Sequence, residues 1–398
     1  MINISSLNKG LVAHFRLASD LQKVGSEGIT DSDNQNFADG TINEWIVWQT
    51  GGAGGTCAYD AGPGGEKTAK ITVGATNPGY TGGALQTTQI TAFVEGRSYI
   101  ISADVYIPSS NNNWTRIFAE VGSMTWTTVL ANDADLTLED GWQRVSWIAT
   151  ALADVTGYIK IEGNSTTPGD VFYIDNVSAK PLLIADLTPN GNHPQNFGVT
   201  LDQADHKGVA NGAGLANGSS DYLLIPDSNV LSFGDSLSDK PFSISAWVNM
   251  TDSITFPIFS KGIAATREYY FGTSSARNIV FGLYDNGGAT PSLVRFSDSS
   301  MASYEGSWVH IIGTYDGTSV VGGIILYANG ILESSNDQSS GVYVAMHNLG
   351  DAVMFRGYSD GSSYADGSIE EVKIWNRVLT PAEALAEYNS YKSNLVVS

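Results

Sequence analysis

The sequence predicts an all-β protein of many short strands, closed by one short helix near the C-terminus. Three observations predict it. Asp (27) outnumbers Glu (14) and there are 44 glycines; Asp, Asn, Gly and Ser favour turns, whereas Glu favours helix. Apolar residues recur with period two over many short segments, the pattern of strands with one face buried. A helix start stands near the end of the chain, with Thr380 as N-cap, Pro381 at the first helical position and Glu383 completing a capping box.

The elements follow in chain order. Residues 10–17 form an opening apolar strand. After Leu17 the chain turns polar, and a new unit begins near Asp31. Residues 97–107 place Tyr99, Ile101, Ala103, Val105 and Ile107 on one face. Residues 141–149, 157–162 and 171–178 are three further strands, and Pro181 ends the unit. Strands then recur over 212–227 and 242–249, where Phe242, Ile244, Ala246 and Val248 share a face suited to the space between two sheets. Residues 306–317 are followed by a strand ending at Asn329-Gly330, a hairpin turn signal. Residues 369–375 form the last strand and lead into the helix.

Composition bounds the function. A hydrophobic fraction of 42% is ample for cores in two or three domains. The net charge of −21, with no basic stripe, argues against binding nucleic acid through phosphates. Cys57 is the sole cysteine, which rules out an intrachain disulfide and reads as an unreactive thiol. The first residues lack a basic stretch followed by an apolar one, so no signal peptide is expected. Apolar runs fall short of the roughly 18 residues of a membrane span, so no membrane insertion is expected.

Several runs carry a family resemblance. Gly306, Trp308, His310, Thr314, Tyr315, Asp316 and Gly317 sit in an order that closely resembles the strand and turn of laminin-G-like, concanavalin-A-like jelly rolls. The closing run from Asp366 to Glu383, the stretch Asp186 to His193 and the strand before Asp227 resemble the same family. Its first strand is matched by residues 10–17, about 150 residues ahead of the rest. The resemblance therefore implies a discontinuous sandwich, 1–29 with 183–398, that carries a second domain at 30–182. Such an insertion is cheap when the insert's ends lie close together, because loop closure costs grow only logarithmically with length.

The insert resembles the β-jelly-roll carbohydrate-binding modules attached to xylanases and glucanases. The matching pieces are Asn36 to Gly40 with Trp45 soon after, Gly96 to Tyr99, Gly141-Trp142-Gln143, and Tyr173 to Val177. The fold class expected is thus all-β, two jelly-roll sandwiches, one inserted into the other. The resemblance implies a structural Ca2+ near the closing Asp175. Ala38 stands where an acid is often found, so Asp31, Asp33 and Asp39 are the substitutes considered. In the host sandwich, Asp221 is the rim-loop acid that best suits Ca2+.

Sugar binding requires aromatic faces for C–H-rich pyranose rings and polar groups for the hydroxyls. Trp45, Trp48, Tyr80, Trp114 and Trp126 lie in polar contexts that suggest loops or edges, with Trp114 the best candidate for an exposed ring. Trp142 and Trp147 lie within regular strands and read as core. Catalysis is not expected. A retaining glycosidase needs two carboxyls about 5 Å apart, and the adjacent Glu370 and Glu371 should alternate to opposite sheet faces. The five histidines lack metal-ligand spacing. The function expected is a non-catalytic bacteriophage virion protein, a capsid or tail component, that binds surface glycans. It would act as a homo-oligomer among other virion proteins, exposed on the particle. A secreted bacterial adhesin or polysaccharide-binding accessory protein is the alternative, ahead of a polysaccharide hydrolase.

Overall fold

A computed structural model of the chain describes residues 7–17, 22–24, 37, 40–42, 45–49, 55–74, 80–86, 94, 97–111, 114–121, 127–130, 139–150, 158–165, 167–263, 266–287, 292–357, 361 and 363–390. It is nearly all β, with a short helix at Pro381–Ser390. The chain divides into two compact units, Met1–Lys23 with Leu183–Ser398, and Val24–Leu182.

In the first unit, the strand Phe242–Asp252 is central to one sheet, paired with Trp308–Tyr315 and with the closing strand Asp366–Trp375. The opening strand Leu11–Phe15 also pairs with the closing strand, Leu11 opposite Trp375 and Phe15 opposite Val372. A loop made from the resumed chain staples it there. Asp186 accepts from the His14 backbone N–H at 3.1 Å, and the Asn190 and Asn192 side-chain amides donate to the Val12 carbonyl at 2.8 and 3.2 Å. The facing sheet runs through Tyr222–Ile225, Ala352–Met354, Pro257–Ile263, Thr266–Thr273 and Asn278–Gly287. Between the sheets lie Phe242, Ile244, Ala246 and Val248, fully buried as the alternation predicts, against Tyr269, Phe271 and Phe281.

The helix covers part of the opposite face of the Phe242 sheet. Its start is the predicted capping box: Glu383 N–H donates to Thr380 Oγ1 at 3.3 Å, and Thr380 N–H donates to Glu383 Oε2 at 2.9 Å. Tyr388 then stacks on Trp247, at 5.6 Å between ring centroids. That cover explains why Ser243, Ser245 and Trp247 are buried although they alternate away from the core.

One expectation is overturned here. Glu370 and Glu371 do not alternate to opposite faces. Glu371 has φ +50° and the register slips between Ser245 and Trp247, a β-bulge. The apolar core takes Ile369 and then Val372, so both glutamates fall on the helix-covered face.

The second unit packs two sheets around one core. A five-stranded sheet orders Trp45–Gln49, Tyr80–Gln86, Tyr158–Ser165, Trp114–Val121 and Thr127–Leu130. The other sheet joins Trp142–Thr150, Ser98–Tyr106, Val171–Ile184, Thr68–Thr72 and Thr56–Asp60. The predicted inward residues Tyr99, Ile101, Ala103, Val105 and Ile107 are buried with Ile71, Phe172, Ile159 and Ile161.

Candidate functional site

The five-stranded sheet of the second unit holds four of the five candidate aromatics, Trp45, Trp48, Tyr80 and Trp114. Antiparallel partners share a face, and alternate residues of one strand share a face. Trp45, opposite Leu85, belongs to the row of Ile159, which is fully buried. Trp45 is itself 1% exposed and packs against Phe37 at 5.9 Å between ring centroids. It is a core residue, and the expectation that it offers a ring to solvent is corrected. Trp45 opens its strand, and its polar sequence context reflected the neighbouring loop.

Trp48 lies three residues on, at a strand position of the opposite parity. Its row across the sheet is Trp48, Gly82, Glu162 and Phe118. The next row holds Tyr80, Asn164 and Arg116. Trp48 and Tyr80, both candidates from sequence, are therefore brought to one face. Sequence reading missed Glu162, Asn164, Arg116 and Phe118. The signal was available in period two, because Ile159 and Ile161 are buried and Glu162 stands at the opposite parity of the same strand. Trp114 opens its strand opposite Ser165, beside a bulge that interrupts the alternation. Trp126 lies outside the described residues, as do Asp31, Asp33 and Asp39.

Such a row can do a defined kind of chemistry. Aromatic positions provide π-faces, while a carboxylate, an amide and a guanidinium provide acceptors and donors for hydroxyls.

On the other sheet, Trp142 is a second correction. It is half-buried rather than core and shares an outward row with Tyr106 and Tyr173, in edge-to-face contact at 5.6 and 6.0 Å. Lys70 lies over the Tyr173 ring at 5.6 Å. The next row pairs Asp175 with Asp104, and Asn176 bridges them, its amide 2.8 Å from Asp104 and 3.3 Å from Asp175. Arg144 pairs with Asp104 at 3.2 Å. Burial raises the Asp175 carboxyl to about 6; the Asn176 backbone N–H offsets part of this, and the Asp104 charge adds to it.

That shift has a sign. The unfolded chain releases this proton near pH 4, whereas the folded unit holds it up to about 6. Across that window the folded state binds more protons, so its stability falls as pH rises. Asp175→Asn should therefore stabilise the unit at pH 7 by about 1 kcal/mol, a value discounted for solvent screening, and leave it unchanged near pH 4. Denaturant melts at the two pH values, recorded in EDTA so that no cation offsets the carboxylate, check this.

In the first unit, Asp221 caps its own turn. It accepts from the Asn217 backbone and amide at 3.1 and 2.9 Å and from Ser220 at 3.1 Å. A cage of oxygens lies elsewhere, around the fully buried Lys261. Its Nζ donates to Asp227 and Glu268, each at 2.7 Å, and to the Gly350 carbonyl at 2.6 Å. Glu371 is held by His14 at 2.6 Å and Glu370 by His206. Both glutamates are buried beneath the helix face, so the pair is closed to a polysaccharide chain. His310 is buried and its imidazole is pushed down to about 3, chiefly by burial, which keeps it neutral. Burial likewise pushes the Cys57 thiol up to about 12, which leaves it unreactive.

Comparison with known proteins agrees with these geometries. Residues 217–384 match the concanavalin A-like lectin/glucanases superfamily, and residues 33–167 match the carbohydrate binding domain family. The chain thus contains a concanavalin A-like domain and a carbohydrate-binding domain. Solved structures that match part of the chain include the botulinum neurotoxin serotype D ligand binding domain in complex with N-acetylneuraminic acid, at 16% identity over 52% of this chain and 48% of that one, TM-score 0.38. The binding domain of Paraclostridial Mosquitocidal Protein 1 shares 17% identity over 52% and 49%, TM-score 0.38. Domain 4 of AbnA, an extracellular arabinanase from Geobacillus stearothermophilus in complex with arabinotriose, shares 18% identity over 44% and 75%, TM-score 0.32. The chain spans about half the length of the toxin domains it matches. No curated protein matches it in sequence. Among the described residues no helix is long and apolar enough to cross a membrane.

Proposed function

We propose that this is a non-catalytic glycan-binding protein whose second unit holds carbohydrate on the outward face of its five-stranded sheet. The observation that carries the reading is the registered row of Trp48, Gly82, Glu162 and Phe118 beside Tyr80, Asn164 and Arg116, inside the segment that matches the carbohydrate binding domain family. Trp48 and Phe118 would stack on sugar C–H faces, and Glu162, Asn164 and Arg116 would hydrogen-bond ring hydroxyls. The concanavalin A-like unit serves as the scaffold. A glycan array probed with the wild-type chain and with Trp48→Ala tests the reading: spots bound by the first should be lost with the second.

The setting we propose is the surface of a virion, with the chain in a homo-oligomer among other virion proteins. The support is a chain without disulfides, with a single half-buried thiol held protonated, that presents two sandwich domains. Particle proteomics that lacks the protein would remove that setting without touching glycan binding. We also propose calcium at Asp175, where a cation would balance the Asp175–Asp104 pair. Melts of wild type at pH 7 with Ca2+ and with EDTA test it; identical curves would exclude a structural ion there.

A further inference from the structure

Beneath the helix-covered face of the first unit, three ligand-type side chains converge that the glycan reading does not use. Asp205 and His206 lie on the loop between Thr200–Gln203 and Ala213–Asn217, and Glu370 lies on the closing strand at the bulge. One oxygen of each carboxylate and one imidazole nitrogen all fall within 4.8 Å of one another. His206 Nδ1 and Glu370 Oε1 are in direct hydrogen-bond contact, and the His206 backbone N–H donates to the same oxygen at 3.1 Å.

Each ligand is held by its surroundings. The Trp247 indole stacks on the His206 ring, 4.1 Å between centroids and 9° from parallel, and so sets the plane of the imidazole. Asp205 Oδ1 accepts the Lys207 and Val209 backbone N–H groups, each at 2.8 Å, which orients that carboxylate. Glu370 is 1% exposed. Burial raises its carboxyl, His206 lowers it, and the nearby Asp205 charge raises it again. Two carboxylates and one imidazole around a partly buried point leave negative charge that a dication would neutralise.

We propose that Asp205, His206 and Glu370 bind one divalent transition-metal ion of the zinc class, with water completing the coordination. The donor set of one imidazole nitrogen and two carboxylate oxygens suits zinc, whereas Ca2+ and Mg2+ prefer all-oxygen sites. Metal–ligand bonds of about 2.0–2.2 Å need the ligand atoms to close around the ion, and Asp205 on its loop can supply that movement. The ion would pin the 203–213 loop to the closing strand, so it acts on the scaffold rather than on catalysis.

The test uses the full chain, stripped with EDTA and titrated calorimetrically with zinc chloride. The proposal expects one zinc per chain, an upward shift of the first unit's melting transition on addition, and no comparable response to calcium chloride. Asp205→Asn and His206→Ala should each weaken binding by about tenfold or more, with an unchanged circular dichroism spectrum confirming the fold. Asp205→Asn, in a half-buried loop position, keeps the test valid if His206→Ala fails to fold. Absence of saturable zinc binding in the wild type, or undiminished affinity in Asp205→Asn, would overturn it.

Discussion

Replacing Lys261 with methionine should destabilise the first unit by about 3–5 kcal/mol. Lys261 has no exposed surface, and its ammonium is the cation at the centre of an oxygen cage. Glu268, equally buried, faces it at 2.7 Å; burial raises the Glu268 carboxyl and the Lys261 charge lowers it. Methionine fills similar space but leaves Glu268 without its counter-charge and the Gly350 carbonyl without its donor. The cost is that of an uncompensated buried charge, not the net worth of the pair. Lys261→Met with Glu268→Leu should therefore recover most of the loss, because Asp227 is about half exposed and can turn to water. Denaturant unfolding of the two single variants and the double variant measures this. A single-variant cost below about 1 kcal/mol would mean that the pair behaves like a surface ion pair.

Trp45→Ala should cost the second unit about 3–5 kcal/mol, the usual range for truncating a buried tryptophan. Its ring is enclosed with Phe37, Ile159 and Ile161. Glycan binding lost in this variant would come from unfolding, so the melt must be recorded beside the binding. Trp45→Phe keeps an aromatic ring in the core and should cost clearly less. A Trp45→Ala unit that melts like wild type would contradict the burial assigned here.

The contrast between Trp45 and Trp48 shows what the sequence could and could not tell. Strands with unbroken alternation were legible: Tyr99 to Ile107 and Phe242 to Val248 turn the predicted faces inward because period two matches the pleat. The helix start was legible because Thr380 and Glu383 satisfy each other locally. Faces at strand ends were not, since Trp45 and Trp48 share a polar neighbourhood and differ only in parity. The bulge at Glu371 depends on the partner strand at Ser245 and Trp247, which lies far away in sequence. Lys261 reads as an ordinary surface lysine, yet its partners come from 7, 34 and 89 residues away. His206 and Glu370 are 164 residues apart, beyond any spacing motif. Long-range pairing decides these sites, and a single sequence does not display it.

On the proposed reading, carbohydrate binds the outward face of the five-stranded sheet. Calorimetric titration of the best glycan from an array, into wild type and Trp48→Ala, tests it most directly. Loss of a ring that carries binding energy should cost more than about 1 kcal/mol, which is roughly fivefold or more in affinity, with the melting curve of the second unit unchanged. Equal affinity in the two proteins, with both folded, would contradict the account.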